Sequence, residues 1–325
     1  MAERNGVLVV GEAGANGLRP ISLELVTAAR RLGGPLSGLI FGSDVSGAAA
    51  TFGGAGLDRL LAMDRHILAC PSAEAATSII AEAIAKVEPA VVLMPNTTLA
   101  TEYAPTLAAR LNLPLVSDVF DLRCDNANVV VTRPAMGGRL QSDVTLSGEQ
   151  RQLIAIRGGA FEKAATGGEP PEVELIDVAM SPLDEHVRVV GVAPKESTGV
   201  GLETAEIVVA GGRGLKDAAS FKLIEDLAAA LGGAVGATRA VTDLGWRPHG
   251  EQIGQTGKTI APKLYIAAGI SGAVQHTVGM TGSENIVVIN RDPDAPIFKS
   301  ASFGIVGDLF EVLPALTAAV AAARK

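Results

Sequence analysis

Lys263-Leu264-Tyr265-Ile266-Ala267-Ala268-Gly269-Ile270-Ser271-Gly272-Ala273-Val274-Gln275-His276 is the stretch from which the rest of the chain can be placed. Its first six residues are a short apolar run rich in strand formers, and the run ends in Gly-Ile-Ser-Gly, where glycine permits a tight turn and close backbone approach. Ala273 to Met280 then reads as the opening of a helix. A strand, a Gly/Ser turn and a helix start leave backbone N–H groups unpaired at a positive dipole end, which suits a diphosphate, and Ser271 adds a hydroxyl. Gly254-Gln255-Thr256-Gly257-Lys258-Thr259, just upstream, brings a second glycine-rich segment to the same region.

Two familiar glycine motifs are excluded. Gly257-Lys258-Thr259 ends like a P-loop, but that motif needs glycine five residues before Gly257, where the chain has Gln252. Gly11-Glu12-Ala13-Gly14 follows the first strand with the wrong spacing for a dinucleotide fingerprint. An ATPase and a standard nicotinamide site are therefore not expected.

At 325 residues the chain has room for two domains, each with its own core. It is 48% hydrophobic, rich in alanine and glycine, with one Trp and two Tyr, which fits small residues at helix–sheet contacts better than an aromatic-lined carbohydrate or RNA surface. The net charge of −8 and the lack of a Lys/Arg cluster argue against a nucleic-acid partner. Cys70 and Cys124 form neither a C-x-x-C pair nor a metal-spaced set and are expected as reduced thiols. The start lacks the apolar core of a signal peptide and no apolar run approaches the ~18 residues of a membrane span, so a soluble protein of a reducing compartment is expected.

The alternation begins at once. Val7 to Val10 is a continuous apolar β run, Ile21 to Leu32 has helical spacing, Leu36 to Phe41 is a second strand, and Ser43-Asp44 opens a short helix toward Phe52. Arg59 to Met63, a helix from Ser72 to Val87, a buried strand Ala90 to Met94 and a helix through Thr101 to Leu111 continue it, as in a parallel sheet with helices on both faces. Asn128 to Thr132, Val144 to Leu146, Leu153 to Ile156 and Val173 to Val178 are then short β runs without crossover helices, so an antiparallel finish is expected, with His186 to Val192 last. Pro194 to Gly201 is polar and glycine-rich, the best linker in the chain. Beyond it lie a strand Ala205 to Ala210, the Gly211-to-Gly214 loop, and a helix Ala218 to Leu231 ending at Gly232-Gly233. Strands Ala234 to Ala237, Lys263 to Ala268 and Ile286 to Asn290 follow, with a long loop from Gly245 to Pro262. A last helix carries the apolar stripe Leu309, Leu313, Leu316, Val320 and Ala323, which packs on the domain or on a partner. The fold class is thus α/β in two domains, residues 1–194 and 203–325: a parallel sheet with an antiparallel extension, then a flavodoxin- or Rossmann-like doubly wound domain.

The C-terminal part resembles the alpha subunit of electron transfer flavoprotein. The resemblance is carried, in order over roughly 100 residues, by Gly211-Gly212-Arg213-Gly214, Gly236-Ala237-Thr238-Arg239, the Gly254-to-Lys258 segment, the Gly269-to-His276 segment, Val288-Ile289-Asn290-Arg291-Asp292-Pro293 and Asp308-Leu309-Phe310. In the first half it rests on general pattern, with Asn16-Gly17-Leu18-Arg19-Pro20 the most suggestive piece. The resemblance implies FAD in the second domain and a first domain that shares an interface with a beta subunit. It implies an electron carrier rather than an enzyme with its own substrate, taking electrons from dehydrogenases, such as the acyl-CoA dehydrogenases of fatty acid oxidation, and passing them to a respiratory or quinone-linked acceptor. The beta subunit would hold AMP or a second FAD, leaving simple transfer and bifurcation both open. No nucleophile, metal set or acid/base pair stands out, as suits a carrier whose chemistry belongs to its cofactor.

By the same resemblance, Arg213 reaches a phosphate or the adenine; read alone it is a solvated arginine in a tight turn. Arg239 lies over or beside the isoalloxazine, where a permanently charged, stacking group stabilises a reduced flavin anion. Thr256 meets flavin N5, although a turn-stabilising threonine is an equal local reading. His276 lies near the N1/C2 carbonyl edge, against a general expectation that a lone helical histidine is structural. Gln275 serves the ribityl chain, and Ile253, Gly254, Gln255, Gly272, Ala273 and Val274 complete the segments around it. Thr238 stands where the family often has serine, retaining the hydroxyl near the pyrophosphate. Asn290, Asp308 and Leu309 contact the adenosine half, with Asp308 alone reading as an N-cap. The alternatives are a flavin-free α/β nucleotide-binding regulatory module and a flavoenzyme acting directly on a small substrate.

Overall fold

Every residue of Val7–Val10 (β1) is buried. Val7 and Val9 face one core and Leu8 and Val10 another, because successive strand side chains point to opposite faces. A strand covered on both sides belongs inside a parallel sheet, and β1 is its middle strand. The computed structural model describes residues 6–14, 17–125, 128–136, 140–146, 151–179, 201–202 and 205–323. The chain divides into two compact units, Met1–Ala193 and Pro194–Lys325.

In the first unit β1 is followed by a small hairpin (β2, Ala13–Gly14; β3, Gly17–Leu18), α1 (Pro20–Arg30), β4 (Leu36–Gly42), α2 (Ser46–Gly53) and β5 (Arg59–Asp64). Then come α3 (Ala73–Val87), β6 (Val91–Pro95), α4 (Thr98–Leu111), β7 (Leu115–Val119), β8 (Asp121–Asp125), β9 (Asn128–Ala135), β10 (Leu140–Leu146), β11 (Gln152–Ile156) and β12 (Val173–Leu175). Seven strands form one sheet in the order β12-β5-β4-β1-β6-β11-β7, all parallel. Among the described residues, besides the β2–β3 hairpin, only β8, β9 and β10 pair antiparallel. The antiparallel finish expected from sequence is therefore confined to these three strands. Leu153 to Ile156 is buried along its whole length, which only the helix-covered sheet can provide, and it inserts between β6 and β7. Val173–Leu175 likewise adds to the parallel sheet, beside β5.

Local chemistry sets the helix starts. The Ser72 hydroxyl accepts from the Ala75 N–H at 3.1 Å and caps α3. The second helix begins at Ser46, not Ser43, because Asp44 takes φ 56° while the Asp64 carboxylate accepts from Asp44 N–H at 2.8 Å and Val45 N–H at 3.1 Å. The candidate strand His186 to Val192, Asn16, and the linker from Pro194 to Val200 lie outside the described residues.

The second unit contains β13 (Ile207–Gly211), α5 (Lys222–Leu231), β14 (Ala234–Ala237), α6 (Arg239–Thr242), β15 (Leu264–Ala268), α7 (Val274–Thr277), β16 (Asn285–Asn290), β17 (Phe303–Val306) and α8 (Leu309–Ala323). Its five strands are parallel in the order β14-β13-β15-β16-β17. Val208, Ala210, Tyr265 and Ala267 face one core, and Val209, Ile266 and Ala268 the other. The fifth strand escapes the sequence pattern because it is an exposed edge interrupted by Gly304. A 3-10 turn, Ala219–Phe221, delays the start of α5, which ends at left-handed Gly232 as expected. Leu309 and Leu313 of the α8 stripe are buried, Leu316 and Val320 are half-buried, and Ala323 is exposed, so the stripe packs on its own unit chiefly at its first turns. No described helix is long and apolar enough to cross a membrane.

Strand order reverses beside β13, with β14 on one side and β15 on the other. In open α/β sheets the crevice beyond the carboxyl ends of two such strands is where ligands bind.

Candidate functional site

A cleft of about 660 Å³ opens there, within the ~300–1,000 Å³ usual for small-molecule sites. After β13 the chain runs Gly212-Arg213-Gly214 and after β15 it runs Gly269-Ile270-Ser271. The two turns meet backbone to backbone, Gly212 N–H donating to Ala268 O and Gly214 N–H to Gly269 O, both at 3.0 Å. A Cβ on Gly212 would lie 2.3 Å from Gly269 O, so a larger residue would pry the base of the cleft apart. Gly254, at φ 133°, closes a second seam: a Cβ there would lie 2.3 Å from Gln275 O, the atom that accepts the Gln255 N–H at 2.7 Å.

Donors are left over. Among the described residues the N–H groups of Ser271 and Ala273, the Ser271 and Thr238 hydroxyls and the Arg213 guanidinium have no hydrogen-bond or ion-pair partner. Such a set fits a diphosphate. The helix that follows is the single turn Val274–Thr277 rather than the longer one expected, so an anion bound here would be held by free amides and Arg213 rather than by a macrodipole.

The cleft is lined by Arg213, Thr238, Arg239, Ile253, Gly254, Gln255, Thr256, Ser271, Ala273, Gln275, His276 and Asn290 of the residues expected from sequence. Gly272, Val274, Asp308 and Leu309 stand outside the lining. Gly272 is buried behind it at φ 88°, where a Cβ would lie 2.3 Å from Ile297 N. Val274 is 39% exposed. Leu309 is buried against Gly269, and the Asp308 carboxylate accepts the Phe310 N–H at 2.9 Å, ordering the entry to α8. Asn290 ties two turns together, its side chain donating to Ile270 O at 2.9 Å and accepting from Asp292 N–H at 3.0 Å.

Gln252 and Asp243 also line the cleft and had no role expected from sequence. Gln252, met in the sequence only as the residue that breaks a P-loop, is 5% exposed. Its amide bridges the Thr242 hydroxyl at 2.8 Å and the Thr256 hydroxyl at 2.9 Å, and its carbonyl accepts the Lys258 N–H at 2.7 Å. It therefore fixes where Thr256 stands. Asp243 pairs with Arg239 across one helical turn, Nε to Oδ2 at 3.3 Å; the i, i+4 spacing was the legible signal. Arg247 anchors the long loop, ion-paired to Glu251 and Glu225 with its guanidinium 5.6 Å from the Phe221 ring centroid.

His276 is 6% exposed. Its Nε2 lies 2.7 Å from the Tyr265 hydroxyl and its Nδ1 3.1 Å from the Ile253 carbonyl. Burial holds the imidazole down to about 4, the Ile253 carbonyl opposing this less strongly. Burial raises the Tyr265 phenol. Both groups are neutral near pH 7.

Residues 201–281 match the family model described as the electron transfer flavoprotein FAD-binding domain, and residues 7–181 match that of the electron transfer flavoprotein domain. The electron transfer flavoprotein subunit alpha of Bacillus subtilis is 38% identical, with 96% of each chain covered. That of Megasphaera elsdenii is 37% identical over 98% of this chain and 97% of its own. A Clostridium saccharobutylicum protein called Protein FixB is 37% identical, covering 98% and 97%.

Proposed function

Because the chain belongs to the electron transfer flavoprotein alpha-subunit family, whose cofactor is FAD, we propose that its second unit holds FAD in the cleft between β13 and β15. The first unit joins a beta subunit, and the pair takes electrons from dehydrogenases, such as acyl-CoA dehydrogenases, and hands them to a quinone-linked acceptor in the cytoplasm or an equivalent reducing compartment. The observation that carries this reading is the cleft itself, at a switch point, with unpaired amides and an unpaired arginine, most of it inside the segment matched by the FAD-binding domain.

Bound FAD supplies the electron chemistry, and the chain's residues bind it and tune it. The Ser271 and Ala273 amides, the Ser271 and Thr238 hydroxyls and Arg213 hold the diphosphate. Arg239, in the cleft lining, would place a permanent positive charge where it favours added negative charge on the flavin. Thr256, whose hydroxyl Gln252 fixes in the cleft wall, would offer that hydroxyl to the flavin ring. Gln275 faces the ribityl chain, and Asn290 shapes the adenosine end by fixing the Ile270 turn.

Co-purification with a beta subunit tests the whole reading. The expected result is a yellow heterodimer with about one acid-releasable FAD per alpha chain, reduced stoichiometrically by a partner dehydrogenase without turnover on small substrates, and an interface above roughly 2,000 Å². A colourless protein would support the flavin-free regulatory module instead. A flavin-saturated monomer at micromolar concentration counts against the shared interface. AMP released from the partner identifies simple transfer, and a second FAD identifies bifurcation.

A further inference from the structure

Tyr265 is fully buried in the central strand β15, opposite Val208 of β13 and Ile286 of β16. A phenol in such a place takes a hydrogen-bond partner, and here the partner is His276 Nε2. The direction of that bond follows from the other end of the imidazole. Nδ1 faces the Ile253 carbonyl, which can only accept, so Nδ1 carries the proton and donates. In the neutral ring Nε2 is then the acceptor and the Tyr265 O–H the donor. An imidazolium would set a second N–H against that hydroxyl, whose own proton has no other acceptor among the described residues. Tyr265 from β15 and the Ile253 carbonyl from the long loop are the groups hydrogen-bonded to the ring, and no charged side chain figures among the causes of its depressed basicity.

We propose, on the flavin reading above, that Tyr265 is a positioning residue: by saturating Nε2 it holds the His276 ring in the cleft wall with its N–H turned away to Ile253, so that the flavin meets a neutral imidazole there and an invariant positive charge only from the arginine side. A histidine free to protonate would make the wall's charge depend on pH and on the redox state. The Tyr265 hydroxyl prevents this by stabilising the neutral form. Tyr265 touches no cofactor atom in this account; it acts through His276.

The direct test reads the ring nitrogens. Two-bond proton–nitrogen correlation on protein carrying 15N-histidine, with the His276 signal assigned by its loss in His276→Gln among four histidines, is expected to show Nδ1 protonated and Nε2 bare from about pH 6 to about pH 8, in oxidised and reduced protein alike. An imidazolium or an Nε2–H tautomer in that range overturns the proposal. Tyr265→Phe supplies the functional readout. The variant's first reduction potential is expected to lie above wild type by a margin that widens as pH falls, reaching about tenfold in the one-electron equilibrium, about 59 mV. A constant margin in a variant that keeps its flavin assigns Tyr265 a merely structural role and overturns the proposal. If the variant does not fold, the nitrogen measurement on the unaltered protein decides. If the protein carries no flavin, the functional reading fails, and the tautomer result still stands or falls by itself.

Discussion

Both parallel sheets reverse strand order, between β1 and β6 in the first unit and between β13 and β15 in the second, and the two crevices are built from opposite materials. Beyond β1 stands Glu12, only 7% exposed. Its carboxylate accepts from the Thr97 hydroxyl and, at 3.0 Å, from Arg19, and its N–H donates to the Ser22 hydroxyl at 2.9 Å. The Phe52 ring stands 2.9 Å from where a Cβ on Gly11 would be. Beyond β13 and β15 stand Gly-Arg-Gly and Gly-Ile-Ser, with the Ser271 N–H, the Ser271 hydroxyl and the Arg213 guanidinium unpaired among the described residues. Parallel winding offers a crevice twice. The residues just past the strand ends decide whether it is filled by a buried acid, which repels phosphate, or left as a row of donors.

Several changes sharpen or break that contrast. The largest effect is expected from Gly272→Ala, which forces an L-residue to φ 88° and sets a methyl group against Ile297 N. Strain of more than ~1 kcal/mol at the cleft wall should reduce flavin per chain at least about tenfold, read from visible absorbance against protein. Arg239→Ala comes next. A charge-assisted contact contributes about 1.5–3 kcal/mol, and because this side chain is 66% exposed the lower figure applies, a fall of about 60 mV in the first reduction potential by potentiometric titration. Arg239→Lys should recover part of it, lacking the planar group. Asp243→Asn should move the potential the other way and by less, since it frees the arginine from a solvent-screened partner; no shift, or a fall, would remove Asp243 from the balance.

The subtlest change lies in the filled crevice. Burial raises the Glu12 carboxyl above its ordinary value, with Thr97 and Arg19 opposing. A carboxyl raised on folding favours the fold below its unfolded value and loses that contribution as pH rises through the folded one. Glu12→Gln removes the dependence, so the melting-temperature difference, variant minus wild type, should grow more positive as pH is raised from about 4.5 to about 7. A difference that is flat or moves the other way contradicts a buried, strained carboxylate. The variant should keep its full flavin, because Glu12 belongs to the other unit.

Elements covered on both faces were the most legible in sequence, since Val7–Val10 and Leu264–Ala268 read as unbroken apolar runs. Leu153 to Ile156 was recognised as a strand and given the wrong neighbours, because an apolar run states that both faces are covered without stating by what. The edge strand Phe303–Val306 carries neither alternation nor continuous burial, so no period marked it. The cleft was legible where glycine was needed for backbone contact, as at Gly212 and Gly254. Gln252 and Tyr265 were not, because their importance lies in which hydroxyl or imidazole each one meets after folding, and residue type alone does not encode that.

Of the two crevices, the one beyond β13 and β15 is proposed to hold the cofactor. Acid-released nucleotide, quantified from the purified heterodimer and from Gly272→Ala and Glu12→Gln made in it, distinguishes the two crevices. The predicted result is about one FAD per alpha chain in the unaltered protein and in Glu12→Gln, with almost none in Gly272→Ala. Full FAD in Gly272→Ala together with its loss in Glu12→Gln would place the cofactor at the first sheet instead.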